Sequence, residues 1–70
     1  MRFENAMVAM RKGFKVQRKS AMNRLNAVCL YIEDGKIITE QTHELSNHKK
    51  EPLASLSNGS IMSEDWVALK

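Results

Sequence analysis

Asp34-Gly35 lies between two apolar, β-prone runs, Ala-Val-Cys-Leu-Tyr-Ile before it and Lys-Ile-Ile-Thr after it. A two-residue type I′ hairpin turn needs positive φ at both central positions, and Asp-Gly adopts it with little strain. The dipeptide therefore sets a register of Glu33 with Lys36, Ile32 with Ile37, Tyr31 with Ile38 and Leu30 with Thr39. Strand side chains alternate between faces, yet residues 27 to 32 are apolar on both. That pattern fits a central strand, or one whose second face meets another subunit.

The flanking segments supply what such a hairpin packs against. Phe3, Ala6, Met7, Met10 and Phe14 recur at the spacing that gathers on one side of a helix, while Glu4, Asn5, Arg11 and Lys12 lie off it. The spacing predicts a helix over about 3 to 12, with Arg11 and Lys12 at the negative end of its dipole and Gly13 as its left-handed cap. From Phe14 to Lys19 the period drops to two, so that Phe14, Val16 and Arg18 share one face of a strand. An arginine leaning toward a buried face needs a partner: Glu64, Asp65 or a ligand phosphate. Residues 20 to 26 read as a loop or short turn, and 42 to 52 as a surface loop. Leu53 to Leu56 read as a short edge strand and Trp66 to Leu69 as the last strand. The expected fold class is α+β: a single domain over residues 1 to 70, with one N-terminal helix packed on a small antiparallel β-sheet that has a central Asp-Gly hairpin.

At 70 residues the chain buries little more than half of its unfolded surface, so its stability margin is thin. Cys29 is the sole cysteine, which excludes an intrachain disulfide, and its apolar setting suits a small buried hydrophobe in a reducing compartment. His43 and His48 stand too far apart for a helix-borne metal pair and have no third ligand nearby, so no metal or other cofactor is expected. Association with further copies is the remaining way to stabilise so small a core. No run approaches the ~20 apolar residues of a membrane span, and no signal-peptide pattern is present, so a soluble cytoplasmic protein is expected. The net charge of +3 is unevenly spread: residues 1 to 24 carry seven cations against Glu4 alone, and the remainder carries four cations against seven anions. A basic N-terminal third suggests an anionic partner, such as a nucleotide, a nucleic acid or another copy of the chain.

No catalytic constellation assembles. There is no Gly-rich phosphate loop, and the adjacent carboxylates Glu64 and Asp65 would point to opposite sides of a strand. Binding without chemistry is the class expected. The stretch from Ser57 to Leu69 is its strongest candidate, because it sets Asn58-Gly59, Ser60 and two carboxylates against the only tryptophan, Trp66. Asn58-Gly59 is expected to form a tight turn with positive φ, with Ser60 accepting backbone N–H bonds at the head of one helical turn.

The opening Met-Arg-Phe-Glu-Asn-Ala-Met-Val-Ala-Met-Arg-Lys-Gly-Phe-Lys-Val-Gln-Arg and the closing Leu-Ser-Asn-Gly-Ser-Ile-Met-Ser-Glu-Asp-Trp resemble the two ends of the Thoeris anti-defence domain of the second type. This is a small phage and prophage family, formerly a domain of unknown function, that also occurs in a proposed inhibitor of CRISPR nucleases. The likeness spans residues 1 to 19 and 53 to 69, with the hairpin between. It implies an α+β domain that forms homodimers or homotetramers and sequesters a cyclic nucleotide immune signal, either cyclic ADP-ribose-like or a cyclic dinucleotide, without cleaving it, in the host cytoplasm. By matching position it implies Phe3 as an aromatic wall, Arg18 as a phosphate or carboxylate partner, Ser57 and Asn58 as polar loop contacts, and Asp65 and Trp66 at the start of the last strand. This chain departs from the family pattern at one place, reading Lys19-Ser20-Ala21-Met22 where a tryptophan usually follows the arginine. A lost stacking surface of that kind is worth ~1–3 kcal/mol per base. The alternative is an inhibitor that binds a host defence protein or CRISPR nuclease directly.

Overall fold

A computed structural model describes residues 1–22, 24, 27–42 and 49–69. In chain order they form α1 (Phe3–Arg11), β1 (Lys15–Arg18), a 3-10 turn (Lys19–Ala21), β2 (Val28–Glu33), β3 (Lys36–Gln41), β4 (Lys50–Pro52), α2 (Asn58–Ile61) and β5 (Trp66–Leu69). The five strands make one antiparallel sheet in the order β4-β3-β2-β1-β5, and α1 packs on one face of it, which is the expected α+β class.

The β2–β3 turn has Asp34 at φ 53° and Gly35 at φ 76°, the two positive angles a type I′ turn requires. The pairs run from Glu33 with Lys36 through Leu30 with Thr39 in the register set by that turn, and continue to Val28 with Gln41. Gly13 closes α1 at φ 95°. Its N–H donates to Met10 O at 3.0 Å, and the Phe14 N–H reaches back to Ala9 O at 3.1 Å. These two bonds form a Schellman motif, which satisfies carbonyls the helix end would otherwise leave open. At the other end Arg2 offers no side-chain cap, and Glu4 is the acidic residue of the first turn.

Helical and strand periodicities meet in one core. Ala6 and Met10 from α1 are buried against Val16, Leu30 and Trp66, with Phe3, Met7, Ile32, Ile37, Leu53 and Leu56 packed around them. Phe14 is not part of it. Once Gly13 has ended the helix, Phe14 is carried off the helical stripe and stands 40% exposed, contrary to the periodic expectation. Two further expectations are corrected. Residues 53 to 57 form no strand; the edge strand is Lys50–Pro52, inside the segment read as a surface loop. Pairing with β3 decides this: Ile38 stands opposite Pro52, Thr39 opposite Glu51 and Glu40 opposite Lys50. Leu53 and Leu56 serve the core from irregular backbone, anchored where the Leu53 N–H meets Ile37 O at 2.9 Å. His43 and His48 lie outside the described residues.

Alternation continues on the second face of the sheet, where Cys29 is buried and the Gln17 amide, also buried, donates to Thr42 Oγ1 at 2.8 Å. On the same face Tyr31 has Lys15 Nζ 4.9 Å and Lys50 Nζ 5.9 Å from its ring centroid, and its hydroxyl is buried without a hydrogen-bond partner among the described residues. Lys15 pairs with Glu40 at 3.1 Å, and that hydrogen bond raises the lysine pKa. Burial pushes the Cys29 thiol up, which keeps it protonated and unreactive. Among the described residues no helix is long and apolar enough to cross a membrane.

Candidate functional site

The last strand starts from two unlike carboxylates. Glu64 turns outward to Arg2 Nε at 3.3 Å, whereas Asp65 turns inward to Arg18. Arg18 and Trp66 are cross-strand partners in the β1–β5 pair. Arg18 Nε donates to Asp65 Oδ1, the Ser20 N–H donates to Asp65 Oδ2 at 3.1 Å, and the Lys19 N–H donates to Asp65 O at 2.8 Å. The Arg18 guanidinium, helped by the Ser20 N–H, holds the Asp65 carboxyl down to about 2 from its ordinary 3.8. Asp65 is therefore a carboxylate throughout the neutral range, and its charge cancels that of Arg18 locally.

Ser60 joins the second side. Ser57 caps α2, its Oγ accepting the Ser60 N–H at 3.2 Å and its hydroxyl donating to Ser60 Oγ at 3.0 Å. The Ser60 carbonyl takes the Trp66 indole N–H at 2.9 Å, and Arg18 Nη1 lies 3.5 Å from Ser60 Oγ. Asn58 and Gly59 are inside this helical turn, and Gly59 has no positive φ, so the expected Asn-Gly turn gives way to a helix capped one residue earlier. Ser57 fills the role the sequence suggested for Ser60. The reason is local: Ser57, in extended backbone, can reach the N–H three residues on, as an N-cap requires.

Between these groups is a cavity of about 220 Å³, lined by Arg18, Ser20, Ala21, Arg24, Val28, Leu30, Leu56, Ser60 and Trp66. Its floor is apolar because Val28, Leu30, Arg18 and Trp66 share the helix-bearing face of the sheet, and α1 covers only part of that face. Of the residues expected at a site, Arg18 and Trp66 line the cavity and Asp65 fixes Arg18 from behind. Phe3 packs on Trp66 with ring centroids 5.3 Å apart and planes at 53°, so it supports the indole without lining the cavity. Ser57 acts as a cap, and Asn58 lies in the helical turn away from the cavity. Sequence reasoning missed Arg24, Ser20, Val28 and Leu56. Period-two patterning could have put Val28 on the Leu30 face, but no local pattern distinguishes Arg24 from the other N-terminal cations.

A second, wider groove of about 750 Å³ lies between α1 and residues 61 to 64. Arg2, Phe3, Met7, Arg11, Ile61 and Met62 line it, with Met62 79% and Ile61 41% exposed. Arg2 is already shared between Glu4 and Glu64 there. The smaller cavity is the better small-ligand candidate, because Leu30 and Trp66 give it an apolar floor and two arginines and two serines line it with no carboxylate among its lining residues, whereas Glu4 and Glu64 line the groove. Among the described residues no three His, Cys, Asp or Glu side chains gather as a metal site.

Fold and cavity together define a small α+β protein in which the part of the sheet face left uncovered by α1 is bounded by arginines, serines and a tryptophan. No protein-family model, curated protein or solved structure matches the chain.

Proposed function

We propose that this protein binds a small anionic ligand of nucleotide type in the Arg18–Trp66 cavity and holds it without cleaving it. The observation that carries the reading is the convergence on one cavity of Trp66, Arg18, Arg24 and two serines. Such a lining suits a ring bearing a phosphate: apolar surface for the ring, hydroxyls and guanidinium N–H groups for the anion. The resemblance of residues 1 to 19 and 53 to 69 to the anti-defence domain supplies the biological form of the proposal. The protein acts as an immune-signal sponge of the anti-defence type, sequestering a cyclic ADP-ribose-like or cyclic dinucleotide signal in the host cytoplasm as a homodimer or homotetramer. Capture alone lowers the free signal, so no catalytic group is required.

The test is a thermal-unfolding screen of the purified protein against a panel of cyclic nucleotide signals, with mass spectrometry of whatever is released on denaturation. One signal should raise Tm by several degrees and be recovered intact. Recovery of a cleaved product would move the protein to the enzyme class, and the absence of any shift would remove the sponge reading.

The Met62–Ile61 groove favours a second reading. An exposed, methionine-bearing apolar groove adapts to protein side chains. On that reading the protein inhibits a host defence protein or CRISPR nuclease by docking through this groove. Met62→Glu would then abolish inhibition while leaving nucleotide binding untouched.

A further inference from the structure

The two arginines of the 220 Å³ cavity are not equivalent. Arg18 is committed: its Nε donates to Asp65, and that carboxylate is held in turn by the Ser20 N–H at 3.1 Å. Arg24 lines the same cavity, and among the described residues no carboxylate pairs with it. Lys19, its basic neighbour in the chain, does not line the cavity. The charge presented to a bound ligand is therefore Arg18 and Asp65 cancelling, with Arg24 left over. A cavity with one such cation matches one negative charge, because a second would find no further cation in the lining and would feel the Asp65 carboxylate behind Arg18.

Size adds a second constraint. At about 220 Å³ the cavity falls below the ~300–1,000 Å³ of sites that enclose a drug-sized ligand. It holds one ring with its adjoining anionic group, so a signal with two phosphate charges would place one of them in the cavity while the other projects from it.

Resting on the nucleotide-binding reading of this cavity, we propose that Arg24 is its charge-selecting residue and that the site takes a ring-bearing monoanion, a phosphate diester or a carboxylate, in preference to a neutral ring or a phosphate monoester dianion. Arg18 is then a positioning residue. It orients Ser60 and Asp65 and supplies N–H groups, but no net charge.

Three probes sharing one base separate the cases at pH 7.5 and low salt: adenosine, neutral; 3′,5′-cyclic AMP, a diester monoanion; and 5′-AMP, close to a dianion because its second ionisation falls near pH 6. Calorimetric titration of the wild-type protein should rank cyclic AMP above both others, by at least about fivefold over adenosine, the scale of one partly screened charge pair. Arg24→Gln should erase the preference for cyclic AMP over adenosine. Arg24→Lys should restore most of it, since charge rather than fork geometry is the discriminant. Asp65→Asn, checked for folding by circular dichroism, releases the charge of Arg18 and should move the preference toward 5′-AMP. If this variant does not fold, the Arg24 pair decides alone.

Failure of all three probes to bind the wild-type protein would overturn the nucleotide reading and this inference together. Binding with no discrimination, or discrimination that survives Arg24→Gln, would leave that reading standing and overturn the inference. A 5′-AMP preference in the wild-type protein would overturn the monoanion assignment.

Discussion

Buried Gln17 and half-buried Thr42 form a polar pair whose two halves respond differently to removal. The Gln17 side chain is 3% exposed, and its amide nitrogen donates to Thr42 Oγ1 at 2.8 Å. Thr42 Oγ1 in turn lies 3.4 Å from Ala27 O. Thr42→Val keeps the shape but leaves a buried amide donor without its acceptor, which costs about 1–3 kcal/mol. Gln17→Leu removes the donor and adds apolar surface, while the threonine hydroxyl keeps Ala27 O, so its cost should stay below about 1 kcal/mol. In the double variant no buried polar group is stranded, and stability should return to within about 1 kcal/mol of wild type. The coupling is therefore about 1–2 kcal/mol in the direction that makes the double variant more stable than the sum of the singles. Urea denaturation monitored through Trp66 fluorescence reads all four proteins. For a domain of this size the Thr42→Val loss corresponds to a Tm drop of roughly 4–8 °C per kcal/mol. Additive losses would refute the reasoning, because they would mean that water or a rotated amide already satisfies Gln17.

Gly13→Ala should cost about 1–2 kcal/mol through backbone strain alone, since φ is 95° and an added Cβ would meet nothing within 4 Å. A synthetic D-alanine at the same position should be neutral or stabilising, and equal losses for both enantiomers would show that the cap geometry is not the cause. Tyr31→Phe removes a buried hydroxyl that has no partner among the described residues, so it should raise stability by about 1 kcal/mol in the same urea assay, and a loss would refute it. Because the folded-state pKa of Asp65 lies at about 2, below its ordinary 3.8, its contribution to stability is complete above pH ~4 and is lost as pH falls through the folded value. Asp65→Asn should accordingly be less stable than wild type at pH 7 and lose less of its stability between pH 4 and 2; parallel acid limbs would contradict the ion pair.

The parts of the fold legible in the chain are those in which one residue type meets one backbone requirement. Asp34-Gly35 met positive φ at both turn positions and so carried the whole β2–β3 register, and Gly13 met the Schellman geometry at the end of α1. Phe14 misled because periodicity has no knowledge of where Gly13 stops the helix. The stretch 50 to 52 looked like loop because a short, charged, proline-ended segment lacks strand propensity, yet pairing with β3 makes it an edge strand, where proline is tolerated. At the candidate site, Arg18 and Trp66 were legible because an inward arginine and a lone tryptophan both demand partners.

Local composition by itself determined the hairpin, the helix with its glycine stop, the burial of Cys29, and a basic N-terminal third. Only the tertiary structure decided which carboxylate neutralises Arg18, that Ser57 rather than Ser60 caps α2, and that Arg24 reaches the same cavity as Trp66 without a carboxylate of its own among the described residues. Turn and helix preferences are set by the φ and side-chain chemistry of adjacent residues. Charge compensation and cavity lining depend on residues forty or more positions apart, such as Arg18 with Asp65 and Arg24 with Trp66, which meet only when β5 pairs with β1.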